Sequence, residues 1–306
     1  MRVLITGATG LIGKKITELC HENGMKVSYL STSKNKLEDQ DNYRGFYWNP
    51  STGEIDTRCF ERVGTIINLA GANVFQPWTK KAKANILNSR VDSLNLLHKT
   101  LSENSHEVGQ LISASAVGIY ESSFQKMHTE DDRKVDDSFL GKVTQRWEAA
   151  ADQFNDLGLR VAKVRIGLVL SNKGGALAQM QKPFKYNLGA ALGSGKQWQS
   201  WIHIEDLSRI FLHILKEGLT GVYNAVAPNP VTNKTLTEQL AKIMGKKTWL
   251  PNVPAPVLKI SMGEMSQIIL SSQLVSSKKI NETGFTFHYI NLERALRDLL
   301  KEKTGA

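Results

Sequence analysis

The sequence predicts an α/β protein built on a doubly wound parallel sheet, with a smaller, mixed lobe at its C-terminal side. Three observations predict it. A short apolar strand opens the chain and runs into a glycine cluster that begins a helix. Strands and helices then alternate to about residue 170. After residue 171 the rhythm changes to glycine-rich loops and a proline-broken tail. Alternation of this kind implies parallel strands joined by crossover helices.

Each element has its own warrant. RVLIT (2–6) is an apolar strand, and Ile12, Ile16, Leu19 and Cys20 then recur at helical spacing as far as Gly24, a helix-ending glycine. KVSYL (26–30), TIINLA (65–70), QLISAS (110–115) and RVAKVRIGLVL (160–170) are the following strands. Helices fall over 79–102, with Leu87, Val91, Leu94, Leu97 and Leu101 on one face, and over 138–157. Beyond 171, NKGGAL and GAALGSGKQ are loops, 204–217 is a helix and GVYNAV (221–226) is a late strand. Thr235 and Glu238 have capping-box spacing for a helix ending at Gly245. Prolines 251, 254 and 256 then break the chain before a small helical tail to residue 301. The expected division is residues 1–170 and 171–306, the second part carrying the tail from about 250.

Composition narrows the function classes. With 41% hydrophobic and 22% charged residues and no low-complexity tract, the chain is an ordinary globular protein, neither disordered nor fibrous. Its apolar runs are too short to span a bilayer, and the first residues go straight into a strand with no leader pattern, so a cytoplasmic protein is expected. Cys20 and Cys59 have no metal or disulfide spacing; they read as buried fillers, and no metal site is expected. A net charge of +10 attracts anions, yet the lysines lie in scattered twos and threes with no basic stripe, so nucleic acid is not the expected partner.

TGATGLIG carries the strongest signal. Gly7, Gly10 and Gly13 stand in G-x-x-G-x-x-G spacing, after a strand and opening a helix, with Thr9, Leu11 and Ile12 in the same turn. Such glycines let a pyrophosphate approach backbone N–H groups at the positive end of a helix. A merely tight turn is the alternative. The first half therefore reads as a Rossmann-like NAD(P)-binding unit. At the end of the second strand, where a carboxylate would bind the ribose of NAD, the sequence has Ser31, Thr32 and Lys34 and no acid until Glu38. That polarity suits a phosphate, so NADP(H) is expected, with NAD(H) as the alternative.

Nearly the whole chain resembles the extended short-chain dehydrogenase/reductase superfamily, in its atypical NAD-dependent epimerase/dehydratase-like subgroup with a short C-terminal domain of unknown function. TGATGLIG, NLAGANV, SRVDS, SASAVGIY, RWEAAA, RIGLVL, GGALAQM, LGSGKQWQSWIHIEDL and VPAPVLKISMGE carry the resemblance. It implies that Asn68, Leu69, Ala70 and Gly71 run along the cofactor, that Asn85 and Arg90 touch it from the long helix, and that Val169 lies near the nicotinamide. Similar proteins carry an arginine after the serine of YLS; Thr32 stands there in this chain.

Similar proteins also place a proton-transfer Tyr and its Lys about eight and four residues before a helical glutamate, here Glu148. Counting back gives Leu140 and Thr144, neither of which transfers a proton, while Lys142 is rotated to another face. Tyr120 ordinarily shapes the substrate pocket. The polarising hydroxyl belongs where Ala116 sits, one residue from Ser115. The remaining catalytic candidates are thus Ser115, Tyr120 and His203, the last paired with Asp206 at a helix start.

GSGKQW (193–198) has the glycines and lysine to hold an anion, or is a surface turn. Trp198 and Trp201 stack on a ligand or pack the lobe junction. Arg165 either orients an anion or pairs with a core acid. The expected activity is hydride transfer on a small hydroxyl or carbonyl substrate, of the sugar or nucleotide-linked kind, with a homodimer left open. A non-catalytic NADP(H)-binding sensor is the alternative.

Overall fold

Runs of β-branched and aliphatic residues ending in glycine or polar turns form one nine-stranded sheet in the computed structural model, which describes residues 1–301. Its parallel part begins with β1 (Arg2–Thr6), β2 (Lys26–Ser31), β3 (Tyr43–Asn49), β4 (Val63–Asn68), β5 (Gln110–Ala116) and β6 (Arg160–Ile166). Next, β7 (Leu168–Leu170) and β8 (Trp201–His203) make a separate parallel pair, and β9 (Gly221–Ala225) returns to the main sheet beside β6. The order is β9-β6-β5-β4-β1-β2-β3, with short antiparallel pieces at 39–40 and 54–55 on β3. Doubly wound order reverses between β1 and β4, which opens a crevice at their carboxyl ends.

The helices that matter are α1 (Leu11–Glu22), α2 (Lys80–Glu103), α3 (Phe139–Asp152), α4 (Gly175–Lys185), α5 (Ile204–Glu217), α6 (Asn233–Ile243), α7 (Ala255–Met262) and α8 (Leu292–Lys301). Crossovers from β1 to β2 and from β4 to β5 run in opposite directions along the sheet, so right-handedness puts α1 and α2 on opposite faces. Yet α5 packs on α1, while α3 packs on α2. The β6–α5–β9 connection is therefore left-handed, an exception to the usual hand, and the excursion through β7 and β8 carries the chain across.

Several expectations need amending. The single strand over 160–170 is broken at Gly167, where a Cβ would lie 2.1 Å from the Ser200 carbonyl oxygen; only glycine lets β7 swing out to β8 there. The sheet takes α5 and β9 from beyond residue 171, so a boundary at 170 cuts through it. What remains as the smaller lobe has its own core of Leu177, Phe184, Trp201, Leu236, Leu240 and Leu296. β3 and α4 were not foreseen. On α2 the buried stripe includes Ile86 and Ser93 beside Leu94, Leu97 and Leu101, whereas Leu87 and Val91 are only half-buried. The helix expected over 138–157 ends at Asp152 and tightens into a 3₁₀ turn. Finally, Thr232 caps α6 by accepting the Thr235 N–H at 3.2 Å, so Thr235 lies inside the first turn and the Thr235–Glu238 box does not form.

Candidate functional site

The glycine loop lies at the sheet's reversal point. Gly7 has φ 71°, and a Cβ there would meet the Leu69 carbonyl at 3.0 Å; Gly10 caps α1 without a side chain, its N–H bonded to the Gly7 carbonyl at 3.0 Å. Gly13 is the sharpest case. A Cβ on it would stand 2.2 Å from the Gly7 carbonyl oxygen and 2.6 Å from the Ala8 Cα. α1 thus presses its first turn directly on the loop, and no acidic residue occupies that turn. The exposed Thr9 and Gly10 and the half-buried Leu11 and Ile12 leave the helix's amino end facing outward. A diphosphate fits such a cradle, because amide donors and the helix dipole both favour an anion.

Thr6, missed by the sequence reading, ties the two halves of the crevice. Its buried hydroxyl donates to Asn68 Oδ1 at 2.7 Å and accepts the Leu69 and Ala70 N–H groups at 3.0 and 3.1 Å. Asn68 in turn donates to the Ser113 hydroxyl at 3.2 Å. Asn68 is therefore an internal strut, while Leu69, Ala70 and Gly71 emerge along the crevice wall. Arg90 is folded onto the same wall. Nη1 donates to the Ala72 and Ile86 carbonyls at 3.2 and 2.8 Å, and the guanidinium lies 5.0 Å over the Trp147 ring. A Cβ on Gly71 would meet its central carbon at 2.9 Å. Burial pushes Arg90 down to about 10. Asn85 is exposed farther up α2.

At the end of β2, the Ser31 hydroxyl accepts the Ser33 N–H at 3.1 Å, a turn that leaves Thr32 and Lys34 exposed. Lys34 Nζ rests 4.7 Å over the Tyr47 ring. Glu38 lies beyond this turn, so no carboxylate occupies the strand end. On the other side of the crevice, Val169 pairs with Ile202 in the β7–β8 ladder, and Val169 and Ile12 both pack against the main core and the smaller lobe's core. Gly175, with φ 72°, brings the start of α4 against Leu11, so the smaller lobe touches the glycine loop.

Two of the catalytic candidates, Ser115 and Tyr120, lie in a different, buried cluster. Ser115 Oγ donates to Glu148 Oε1 at 2.5 Å, and Glu148 holds Arg165 through two bonds of 2.8 and 2.9 Å. Arg165 Nη1 donates to the Tyr120 hydroxyl at 2.9 Å, and that hydroxyl donates to Asn224 Oδ1 at 2.7 Å. Ser115 is 2% and Tyr120 1% exposed, so both hydroxyls are spent on protein partners. Burial pushes the Tyr120 phenol up to about 12 although Arg165 and Asn224 pull it down. Burial also opposes ionisation of Glu148, but Arg165 and then Ser115 outweigh it and hold the carboxyl below its usual range. Arg165 thus takes the core-pair reading. The Leu140 carbonyl accepts the buried Thr144 hydroxyl at 2.8 Å, and Lys142 is exposed.

His203 stands apart from this cluster. Its Nδ1 caps α5 by accepting the Glu205 N–H at 3.1 Å, and its ring stacks on Tyr289 at 3.8 Å. Nε2 lies 3.3 Å from Asp298 without hydrogen-bond geometry, and burial lowers the imidazole's pKa. The expected His203–Asp206 pair does not form. Asp206 instead accepts the His288 and Tyr289 N–H groups at 2.9 and 2.8 Å and Arg209 at 2.9 Å, since a buried carboxylate needs all the donors it can reach. GSGKQW is no anion cradle either. The N–H groups of Gly193, Gly195, Lys196 and Trp198 are bonded to Val253, Leu192, Ser194 and Ser272. Trp201 is buried at the lobe junction, donating to the Asn229 carbonyl at 2.9 Å. Among the described residues no group of acids, histidines or cysteines could hold a metal ion.

Comparison with known proteins agrees with this geometry. Residues 3–225 match the model of the NAD dependent epimerase/dehydratase family, and residues 253–299 match a domain of unknown function, DUF1731. Epimerase family protein YfhF of Bacillus subtilis is 35% identical over 304 residues, with 99% of each chain covered. Epimerase family protein SA0724 of Staphylococcus aureus is 35% identical over 302 residues, covering 98% of this chain and 99% of its own. Among solved structures, human epimerase family protein SDR39U1 with NADPH superposes with a TM-score of 0.84 at 28% identity, over 98% of this chain and 99% of that one.

Proposed function

The chain belongs to the NAD dependent epimerase/dehydratase family, and from that premise we propose that it is an NADP(H)-binding oxidoreductase or epimerase acting on a small hydroxyl or carbonyl substrate, sugar or nucleotide-linked. The observation that carries the proposal is the 2.2 Å approach of a Cβ on Gly13 to the Gly7 carbonyl: only glycine lets the first turn of α1 press on the loop, and that turn carries neither a side-chain cap nor an acidic residue to compete with an anion. Backbone from Gly7 to Gly13, including Thr9, Leu11 and Ile12, holds the diphosphate. Ser31, Thr32 and Lys34 receive the adenosine ribose phosphate. Leu69, Ala70 and Gly71 form the wall along the ribose with Asn68 as the buried strut behind them, Asn85 and Arg90 buttress it from α2, and Val169 closes against the nicotinamide. When bound, the nicotinamide supplies hydride transfer; the protein's part is orientation and exclusion of water.

Ser115 and Tyr120 serve in this reading as positioning residues, because their hydroxyls are locked to Glu148, Arg165 and Asn224. His203, neutral and capping α5, holds the β7–β8 ladder in which Val169 lies. The free cysteines 20 and 59, both buried, suit a reducing, cytoplasmic setting. Calorimetric titration with NADPH and NADH, followed by turnover on a nucleotide-sugar and carbonyl panel, tests the proposal. Tighter binding of NADPH with turnover on a panel member supports it; absence of dinucleotide binding sinks it.

One observation favours a second reading, a non-catalytic NADP(H) sensor. Leu140 and Thr144 occupy the positions that the register from Glu148 gives to the proton-transfer pair, and Thr144 is bonded to Leu140 itself. Dinucleotide binding with no turnover across the panel selects this reading.

A further inference from the structure

The sheet has a second concavity at its other end, where the parallel strands begin, with a volume of about 430 Å3. Strand register builds it. Arg2 pairs with Lys26, Ser28 pairs with Arg44 and Leu30 pairs with Phe46, so Arg2, Lys26, Ser28, Arg44 and Phe46 share one face. Arg58 and Arg62, from the segment entering β4, close the cavity's side.

Three of these cations are already matched. Lys26 lies 2.6 Å from Asp41, Arg44 lies 3.4 Å from Asp39 and Arg58 lies 2.6 Å from Asp56. Two are not. Arg2 donates to the Asp41 carbonyl at 2.9 Å and reaches the Ser28 hydroxyl at 3.4 Å, both uncharged acceptors. Burial, then Arg44, push its guanidinium below the usual arginine range. Arg62 makes no hydrogen bond or ion pair among the described residues. It is also held at φ 57°, a conformation that costs a residue with a Cβ about 1 kcal/mol. Asp41, held by Lys26, and Glu61 contribute two negative charges to the lining against five cationic side chains, and Met1 lies at the same rim.

Two guanidinium groups that make no ion pair among the described residues, facing a cavity with a Phe46 wall and a surplus of positive charge, complement a compact dianion. Planar N–H forks take phosphate oxygens in pairs, and the volume lies within the roughly 300–1,000 Å3 range of small-ligand sites. We propose that this cavity binds the phosphate or pyrophosphate group of a small phosphorylated molecule, at a site separate from the glycine loop.

Isothermal titration of the full chain at low salt tests this, with inorganic pyrophosphate as the probe and NADPH in excess to keep the glycine loop engaged. The expected result is saturable binding that weakens about tenfold or more in Arg2→Gln/Arg62→Gln. Lys80→Gln/Lys81→Gln, which removes the same charge from the start of α2, should stay within about twofold of the native protein. Arg62→Gln alone, at an exposed position, should weaken binding about threefold and keeps the test decisive if the double variant fails to fold. No binding at millimolar pyrophosphate, or equal weakening in both double variants, overturns the proposal. So does a single-stranded oligonucleotide that displaces pyrophosphate and shows the steep salt dependence of backbone contacts, which would assign the face to nucleic acid.

Discussion

Glu148 on α3 and Arg165 on β6 meet in a bidentate pair, Nε to Oε1 at 2.8 Å and Nη2 to Oε2 at 2.9 Å, with both side chains less than a tenth exposed. Around it Ser115 donates to Glu148 and Tyr120 accepts from Arg165. Breaking one side leaves the other charge buried without a partner, which typically costs about 3–5 kcal/mol. Glu148→Gln and Arg165→Met should each lose stability on that scale in urea unfolding at pH 7. The double variant should lose less than the sum. Additive losses would mean the two residues are not coupled.

The same pair sets an acid limit. With the Glu148 carboxyl held below its usual range by Arg165 against the opposing effect of burial, its contribution to stability is complete above the unfolded value near 4.5 and is lost as pH falls through the lower, folded value. Melting curves from pH 7 to 3 should therefore show a fall below about pH 4.5. Glu148→Gln should flatten that part of the curve. An unchanged slope in the variant would place the acid sensitivity elsewhere.

Gly13→Ala tests the cradle. The added methyl would sit 2.2 Å from one backbone atom and 2.6 Å from another, neither at the end of a flexible side chain, so α1 must retreat from the loop. Overpacking of this kind costs about 1–3 kcal/mol, and it displaces the amides proposed to hold the diphosphate. NADPH affinity should drop at least about tenfold, from a misplaced first turn. Retained affinity would mean that the dinucleotide does not use this loop.

Much of this was legible because glycine is informative where backbone crowds backbone. TGATGLIG, the strands over 2–6, 26–30 and 110–115, and the α5 helix follow from local pattern alone. β3 was missed because YRGFYWN shows no strict apolar–polar alternation: a glycine interrupts it, three aromatics follow in a row, and only Trp48 is fully buried. α4 hid behind two glycines at its start and Pro183 within it. The break at Gly167 depends on Ser200, far along the chain, and no local pattern records such an approach. The buried cluster around Glu148 and Arg165 was half legible. Ser115, Tyr120, Glu148 and Arg165 were each singled out from sequence, but their spending one another's hydrogen bonds is a property of β5, α3 and β6 packed together.

In the proposed reading, cofactor choice turns on Lys34 and Thr32. Both are exposed at the end of β2, and Lys34 Nζ leans on Tyr47 at 4.7 Å, a contact weak enough at an exposed site to yield to a phosphate. Lys34→Glu should weaken NADPH about tenfold or more and leave NADH within about twofold, since only the former carries the extra phosphate. Thr32→Arg should move the ratio the other way. Equal effects on both dinucleotides would show that this strand end does not read the ribose.

Tyr120→Phe separates a proton-transfer role from a positioning one. The phenol is pushed up to about 12, mainly by burial, and its oxygen already accepts from Arg165 and donates to Asn224. Near neutral pH it is therefore a filled hydrogen-bond link and a poor base. Removing the oxygen leaves the Arg165 Nη1 donor and the Asn224 Oδ1 acceptor without that partner, which costs about 1–3 kcal/mol of stability. NADPH affinity should be unchanged within about twofold, because the glycine loop does not touch this network. Where turnover is found, kcat should fall modestly while the pH profile keeps both its limbs, as expected when a group acts through its neighbours. A loss of about a thousandfold with one limb gone, in a variant that melts like the native protein, would return Tyr120 to the proton-transfer role and refute its assignment as a positioning residue.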